Sequence, residues 1–282
     1  MRALHVLRMS ALVGVLLTPG LAAWAETVKV GLIDFALRHE ALSRFDNVKV
    51  RSITFETSEM PPARFQTTEN KRGHADVMAQ SLVEAFQSAA PDVDLELFVA
   101  SPFLQNAKTG QQVIDLEQLE FAYTWLARQG VKVVAQTFVA RDSAALAEAI
   151  TTATDLGLII LSSAGNGPRQ NVVPPFPASY PDVIGISTTA LGADLGQESN
   201  RDSYARYSVK APAASSLRLR DDPELAILAG SSRATVAAAG YLGAMATRYR
   251  LNGREDVLID LHMEDDRKKT VKIERGGRRE KK

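Results

Sequence analysis

Two hydrophobic patterns exchange along the chain. Short runs rich in Val, Ile and Leu alternate with longer stretches whose apolar residues recur every three to four positions. The short runs at 28–33, 48–55, 93–99, 131–139, 156–162, 183–187 and 226–229 predict strands. They are near-continuous rather than alternating, which is how strands covered on both faces read. The longer stretches at 74–89, 116–128, 143–155 and 232–249 predict helices. In the first of these, Val77, Leu82 and Phe86 share one stripe, and Gly130 stops the second. Strands exchanging with helices imply an α/β fold with a mostly parallel central sheet and helices on both faces. No internal repeat or interior linker interrupts the pattern, so residues 26–250 read as one domain.

The two ends differ from this body. Arg2 and Arg8 precede an apolar block at 9–24, and Ala23-Trp24-Ala25 follows with small residues where a signal peptidase reads. This three-part pattern predicts a secretory signal over 1–25, cleaved before Glu26, and an exported mature chain, secreted or periplasmic. The block contains Pro19 and Gly20 and is short for a membrane span of ~20 residues. No later stretch could span a bilayer. Lys and Arg together number 33, as do Asp and Glu, so the formal net charge is zero. The balance conceals a body over 26–266 of net −9 and a tail over 267–282 of net +7. Zero net charge gives no reason to expect nucleic acid as partner. Residues 251–282 read as a C-terminal extension, and its basic, polar tail after Leu261 is expected to be solvated or else to contact the acidic body, nucleic acid or a membrane surface. The chain has no cysteine, which excludes thiol catalysis, thiolate metal sites and disulfide support.

Ligands of such a sheet bind beyond the carboxyl ends of its strands. Asp34 follows the first predicted strand, and Ser163-Ala164-Gly165-Asn166-Gly167 follows 156–162. Gly230-Ser231-Ser232 follows 226–229 at a helix start, and His74 opens a helix behind Gly73. A serine nucleophile needs a base. Of the four histidines, His5 leaves with the signal and His262 lies near the basic tail. His39, in a polar loop, and His74 remain, and the helix start favours His74. Each candidate also has a plainer role: Asp34 or Asn166 in a turn, Ser232 as a helix cap.

These residues resemble the subtilisin-like serine peptidases. VKVGLID at 28–34 is similar to the strand bearing that family's aspartate, and GHADVMA at 73–79 resembles GHGTHVA. SSAGNGP at 162–168 resembles the AAGN segment, and FPASYPDVIGI at 176–186 the strand entry that follows it. GSSRATVAAAG at 230–240 resembles GTSMATPHVAG. Five matches stand in the family's order, Asp, His, then Ser. The resemblance implies a three-layer subtilisin-like fold and a triad of Asp34, His74 and Ser232. It further implies Asn166 as oxyanion donor and a polypeptide substrate lying against Thr137, Phe138, Val139 and Gly165. The family's calcium loop would interrupt 74–89, which reads as unbroken helix, so no metal and no cofactor is expected.

The departures are specific. Phe35 and Ala36 stand where the family has a small polar residue and Gly, which questions the second hydrogen bond to the Asp34 carboxylate. Ala75, Asp76 and Val77 replace Gly, Thr and the second His, and Arg233 replaces Met. Nothing between Ala25 and Val28 could serve as a propeptide, which implies unaided folding or a protein partner in its place. The expected function is an exported serine endopeptidase. The alternative is a weak or inactive fold acting as a protein-binding or assembly factor. An esterase is disfavoured, because G-x-S-x-G is absent around Ser232.

Overall fold

Strands and helices alternate as the hydrophobic pattern predicts. The computed structural model describes residues 27–54, 65–67, 73–106, 112–165, 174–188, 207–209, 230–246 and 273–275. In chain order the strands are β1 (Val28–Ile33), β2 (Val48–Thr54), β3 (Phe65–Thr67), β4 (Leu95–Ser101), β5 (Phe103–Asn106) and β6 (Gln112–Ile114). They continue with β7 (Val133–Gln136), β8 (Ile159–Ser163), β9 (Ile184–Thr188), β10 (Tyr207–Val209) and β11 (Ile273–Arg275). The helices are α1 (His74–Ala89), α2 (Leu116–Arg128), α3 (Ala144–Asp155) and α4 (Ser231–Ala246), with a 3-10 turn at His39–Leu42.

An eight-stranded sheet runs β11-β10-β9-β8-β7-β1-β4-β2, parallel throughout except for the edge strand β11. Successive strand residues point to opposite faces, and the two cores sort accordingly. Val133, Ala135, Ile159 and Leu161 join α1 and α4 in one core. Val134 and Ile160 join α2 and α3 in the other. The fold is therefore a three-layer α/β sandwich.

The helix limits follow local chemistry. Asp115 caps α2, its carboxylate accepting from the N–H groups of Glu117 and Gln118, and Ser143 caps α3 through Leu146 N–H. α1 runs unbroken from His74 to Ala89. α4 approaches α1 closely because its contact face is small. A Cβ on Gly240 would stand 2.3 Å from the Leu82 carbonyl oxygen, so only glycine fits there.

Several strands start or stop away from the expected positions. The run at 156–162 begins too early because Leu156, Gly157 and Leu158 return their N–H groups to α3 carbonyls; β8 starts at Ile159. Val93 belongs to the turn after α1, bonded to Ala90, so β4 starts at Leu95. β7 ends at Gln136, and Thr137–Val139 leave the sheet. A small antiparallel sheet, β3-β5-β6, is an addition to the predicted elements. So is β11: residues 273–275, within the extension expected to be solvated, pair with β10. The strand expected at 226–229 and the end of the last helix beyond 246 lie outside the described residues. Among the described residues no helix is long and apolar enough to cross a membrane.

Candidate active site

β1 stops at Ile33, and the next residue, Asp34, stands at the carboxyl edge of the sheet with only 1% of its surface exposed. A buried carboxylate has to be hydrogen-bonded to remain charged. His74 Nδ1 lies 2.8 and 2.9 Å from the two carboxylate oxygens. Thr137 Oγ1 donates to Oδ2 at 2.8 Å, and Phe35 N–H donates to Oδ1 at 2.6 Å. The bond that Phe35 and Ala36 placed in question is thus supplied, by the Phe35 backbone and the Thr137 hydroxyl.

Asp34 sets the state of His74. Burial is the largest single influence on the imidazole and works against its charged form. The charge of Asp34 and its hydrogen bond together outweigh burial, and the His74 pKa is raised above 6.5. A carboxylate on Nδ1 also fixes the tautomer, leaving Nε2 as the basic nitrogen. The Phe35 ring meets the imidazole edge-on, centroids 5.8 Å apart at 83°.

Ser232 arrives from the far end of the chain. Gly230, at φ 138°, turns the backbone through a region that L side chains rarely adopt. α4 begins at the next residue, which places Ser232 in its first turn. There its N–H has no acceptor within the helix, and the residue is buried, with 8% of its surface exposed. The hydroxyl donates to the Thr137 carbonyl at 3.1 Å. Thr137 therefore touches both partners, the Asp34 carboxylate through its hydroxyl and Ser232 through its carbonyl. Ser231 Oγ and Ser163 Oγ share a buried hydrogen bond of 2.6 Å, and Gly165 N–H donates to Ser163 Oγ at 3.4 Å. The segment that ends β8 is thereby tied to the serine turn.

The structure brings together Asp34, His74, Ser232 and Thr137, with Phe138 packed against Phe103 below the same segment. Val139 follows outside the sheet. Asn166 lies outside the described residues. The 3-10 turn contains His39, and α1 places His74, rather than that turn, on Asp34. Sequence reasoning gave Thr137 only a place beside substrate; its two bonds to the site were missed, because they depend on where β7 ends. The Ser163–Ser231 bond was missed too, although both serines stood in the quoted segments. Arg233, beside Ser232, is buried. Burial lowers its pKa to about 10, resisted by Glu84 on α1, so the guanidinium stays charged at neutral pH. Among the described residues no cluster of three or more His, Cys, Asp or Glu could hold a metal.

Solved structures with related folds include the epidermin leader peptide processing serine protease of Staphylococcus aureus. It is 16% identical, with a TM-score of 0.50, over 82% of this chain and 68% of that one. The prenylagaramide maturation protease is 12% identical, with a TM-score of 0.47, over 78% and 76%. An identity of 16% speaks to fold alone. Among curated proteins none matches the sequence. The family profile described as Subtilase family matches residues 25–259, a span that holds every candidate residue above. The chain therefore belongs to the subtilase family.

Proposed function

We propose that this subtilase is an exported serine endopeptidase working through Asp34, His74 and Ser232. The observation that carries the reading is the junction at Thr137, which bonds both the carboxylate that holds the His74 imidazole and the helix-start serine. His74 takes the Ser232 proton as the oxygen attacks a peptide carbonyl, forming the acyl-enzyme, and returns it to the leaving amine. In the resting arrangement the single hydroxyl proton goes to the Thr137 carbonyl, so the hydroxyl must turn toward His74 before attack. Catalytic hydrogen bonds commonly tighten only when substrate is bound. Asp34 stabilises the imidazolium formed in that step.

The Ser232 N–H, without an intrahelical acceptor, is placed to hold developing negative charge, with the Asn166 side chain as second donor by its position in the AAGN-like segment. Thr137–Val139, leaving the sheet edge, and Gly165 offer backbone against which a substrate strand can lie. Export rests on the basic start, the apolar 9–24 block and the Ala23-Trp24-Ala25 site. Polypeptide is the substrate class.

A serine-directed fluorophosphonate tests the chemistry. Mass spectrometry should find the label on Ser232, and Ser232→Ala should remain unlabelled. A folded wild-type chain that takes no label and cleaves no peptide would leave the assembly-factor reading in its place.

A further inference from the structure

Behind the Asp34–His74 pair lies a second carboxylate that the catalytic steps do not use. Asp76 stands two residues after His74 in the first turn of α1 and is 3% exposed. Its Oδ1 accepts from the Arg38 backbone N–H at 3.0 Å, and its Oδ2 accepts from Arg38 Nε at 2.5 Å. Arg38 lies four residues after Asp34, and its own side chain is largely exposed. A buried carboxylate takes both bonds from one residue of a surface segment.

These links close a ring. The path runs Asp34, Phe35, Ala36, Leu37, Arg38, across to Asp76, back through Ala75 to His74, and across to Asp34. Two covalent segments are joined by two polar bridges, one of them the Asp34–His74 contact itself. Inside the ring, Phe35 gives its N–H to Asp34 and its ring edge to His74. One turn further along α1, Gln80 Nε2 donates to the Ala41 carbonyl at 2.9 Å and anchors the same segment again. If the Asp76 bridge opens, residues 35–38 lose their own tie to α1 and are held to it only from further along the segment. The Phe35 contacts on both members of the pair are then free to drift.

We propose that Asp76, clamping Arg38, is a positioning residue that holds the Asp34–His74 pair in register. The inference rests on the reading of that pair as the acid–base half of the site. Such a role matches the departures in the sequence. Phe35 and Ala36 replace the small polar residue and Gly that the family carries after its aspartate. Asp76 stands where the family motif has Thr, so the clamp joins two altered segments of this chain.

The test compares Asp76→Ala, Asp76→Asn and Arg38→Ala in the whole chain. The measurements are kcat and KM on a peptide, the His74 imidazole titration by NMR, and thermal melting. The charged and titratable groups on the elements around the imidazole are Lys29 on β1, Asp34 directly after it, Arg38, His39, Glu40 and Arg44 in the segment that follows, Asp76 and Glu84 on α1, and Arg233 on α4. Asp76→Ala should lower kcat about 10²-fold, as for a misplaced catalytic group, with KM nearly unchanged. His74 should titrate at lower pH than in the wild type, because burial persists while the pull of Asp34 weakens. Asp76→Asn keeps an acceptor for the Arg38 N–H and should fall between. Arg38→Ala keeps the backbone bond but loses the guanidinium bond together with a positive charge, whose loss works against the shift, so it should move the titration least, in the same direction.

An unchanged kcat and an unchanged His74 titration in Asp76→Ala, with only the melting temperature lowered, would overturn the proposal. If that variant does not fold, the two milder ones decide, and a His74 titration unmoved in both overturns it equally. A wild type without peptidase activity would refute the proposed function and leave the imidazole titration to judge the clamp by itself.

Discussion

The two faces of the sheet are packed by opposite means. Where α1 and α4 cover it, α4 contributes a run of small residues, Ala234, Ala237, Ala238, Ala239 and the tightly fitted Gly240, alongside Leu82 and Phe86 of α1. Where α2 and α3 cover it, large side chains fill the space: Phe98, Phe103, Tyr123, Leu126, Phe138 and Leu146. Phe98 meets Trp125 edge-on at 5.5 Å. On this side the Tyr123 hydroxyl bonds Gln136, and burial is the main reason its pKa is raised. The first face carries His74 and Ser232, each in the opening turn of its helix. Small residues let the two helix axes approach until both starts reach one edge. Volume stabilises the second face, whereas distance is what the first must set.

That contrast can be broken by mutation. The largest expected effect is Ser232→Ala, which should lower kcat by on the order of 10⁶, since triad members act as a unit. Melting should barely move, because the change removes a single oxygen and one hydrogen bond of 3.1 Å. Next comes Leu146→Ala on the opposite face. It removes a fully buried side chain and should cost about 2–5 kcal/mol of stability by denaturant unfolding. Its kcat, measured well below the melting temperature, should stay at the wild-type level.

Gly240→Ala probes the close approach directly. The added methyl meets the Leu82 carbonyl oxygen, and the strain should cost about 1–3 kcal/mol. It should also reduce kcat, since α1 and α4 must separate. Lost stability with an unaltered kcat would show that helix spacing does not set the site. The smallest effect is in pH dependence. Only neutral His74 can accept the serine proton, so kcat/KM should fall on the acid side along a limb centred above 6.5. Stability runs the other way. A raised folded pKa means that the Asp34–imidazolium pair contributes fully below the unfolded value and is lost as pH rises through the folded one. The stability gap between wild type and His74→Gln should narrow over the pH range in which activity appears.

The sequence was most informative where one physical signal acted alone. α1 and α2 coincide with their predicted limits because periodicity agrees there with local start and stop residues. β8 was placed three residues early because Leu156 and Leu158 are apolar for the sake of the α3 end, not the sheet. β3, β5 and β6 are three or four residues long and mixed in polarity, so no period could emerge from them. In the site, Asp34, His74 and Ser232 were legible as residues that follow strands or open helices. What joins them was not. The Thr137 bonds require knowing that the chain leaves the sheet after Gln136, and the Arg38–Asp76 bridge spans 38 residues with no local pattern to announce it.

The order of the pieces has a consequence for how the molecule comes into being. The bridge between His74 and Asp34 closes across 40 residues, whereas Ser232 reaches Thr137 across 95. α4 is the latest of the described helices to leave the ribosome, and it packs on β1, β7, β8 and β9 near the middle of the sheet. Domains emerge N-terminal part first, and long-range closure is the slow part of folding. A nascent chain can therefore bring Asp34 and His74 together early and still lack the proposed nucleophile until α4 has emerged. On the proposed reading, docking of that one helix completes the site, and truncation anywhere before residue 230 removes the proposed nucleophile.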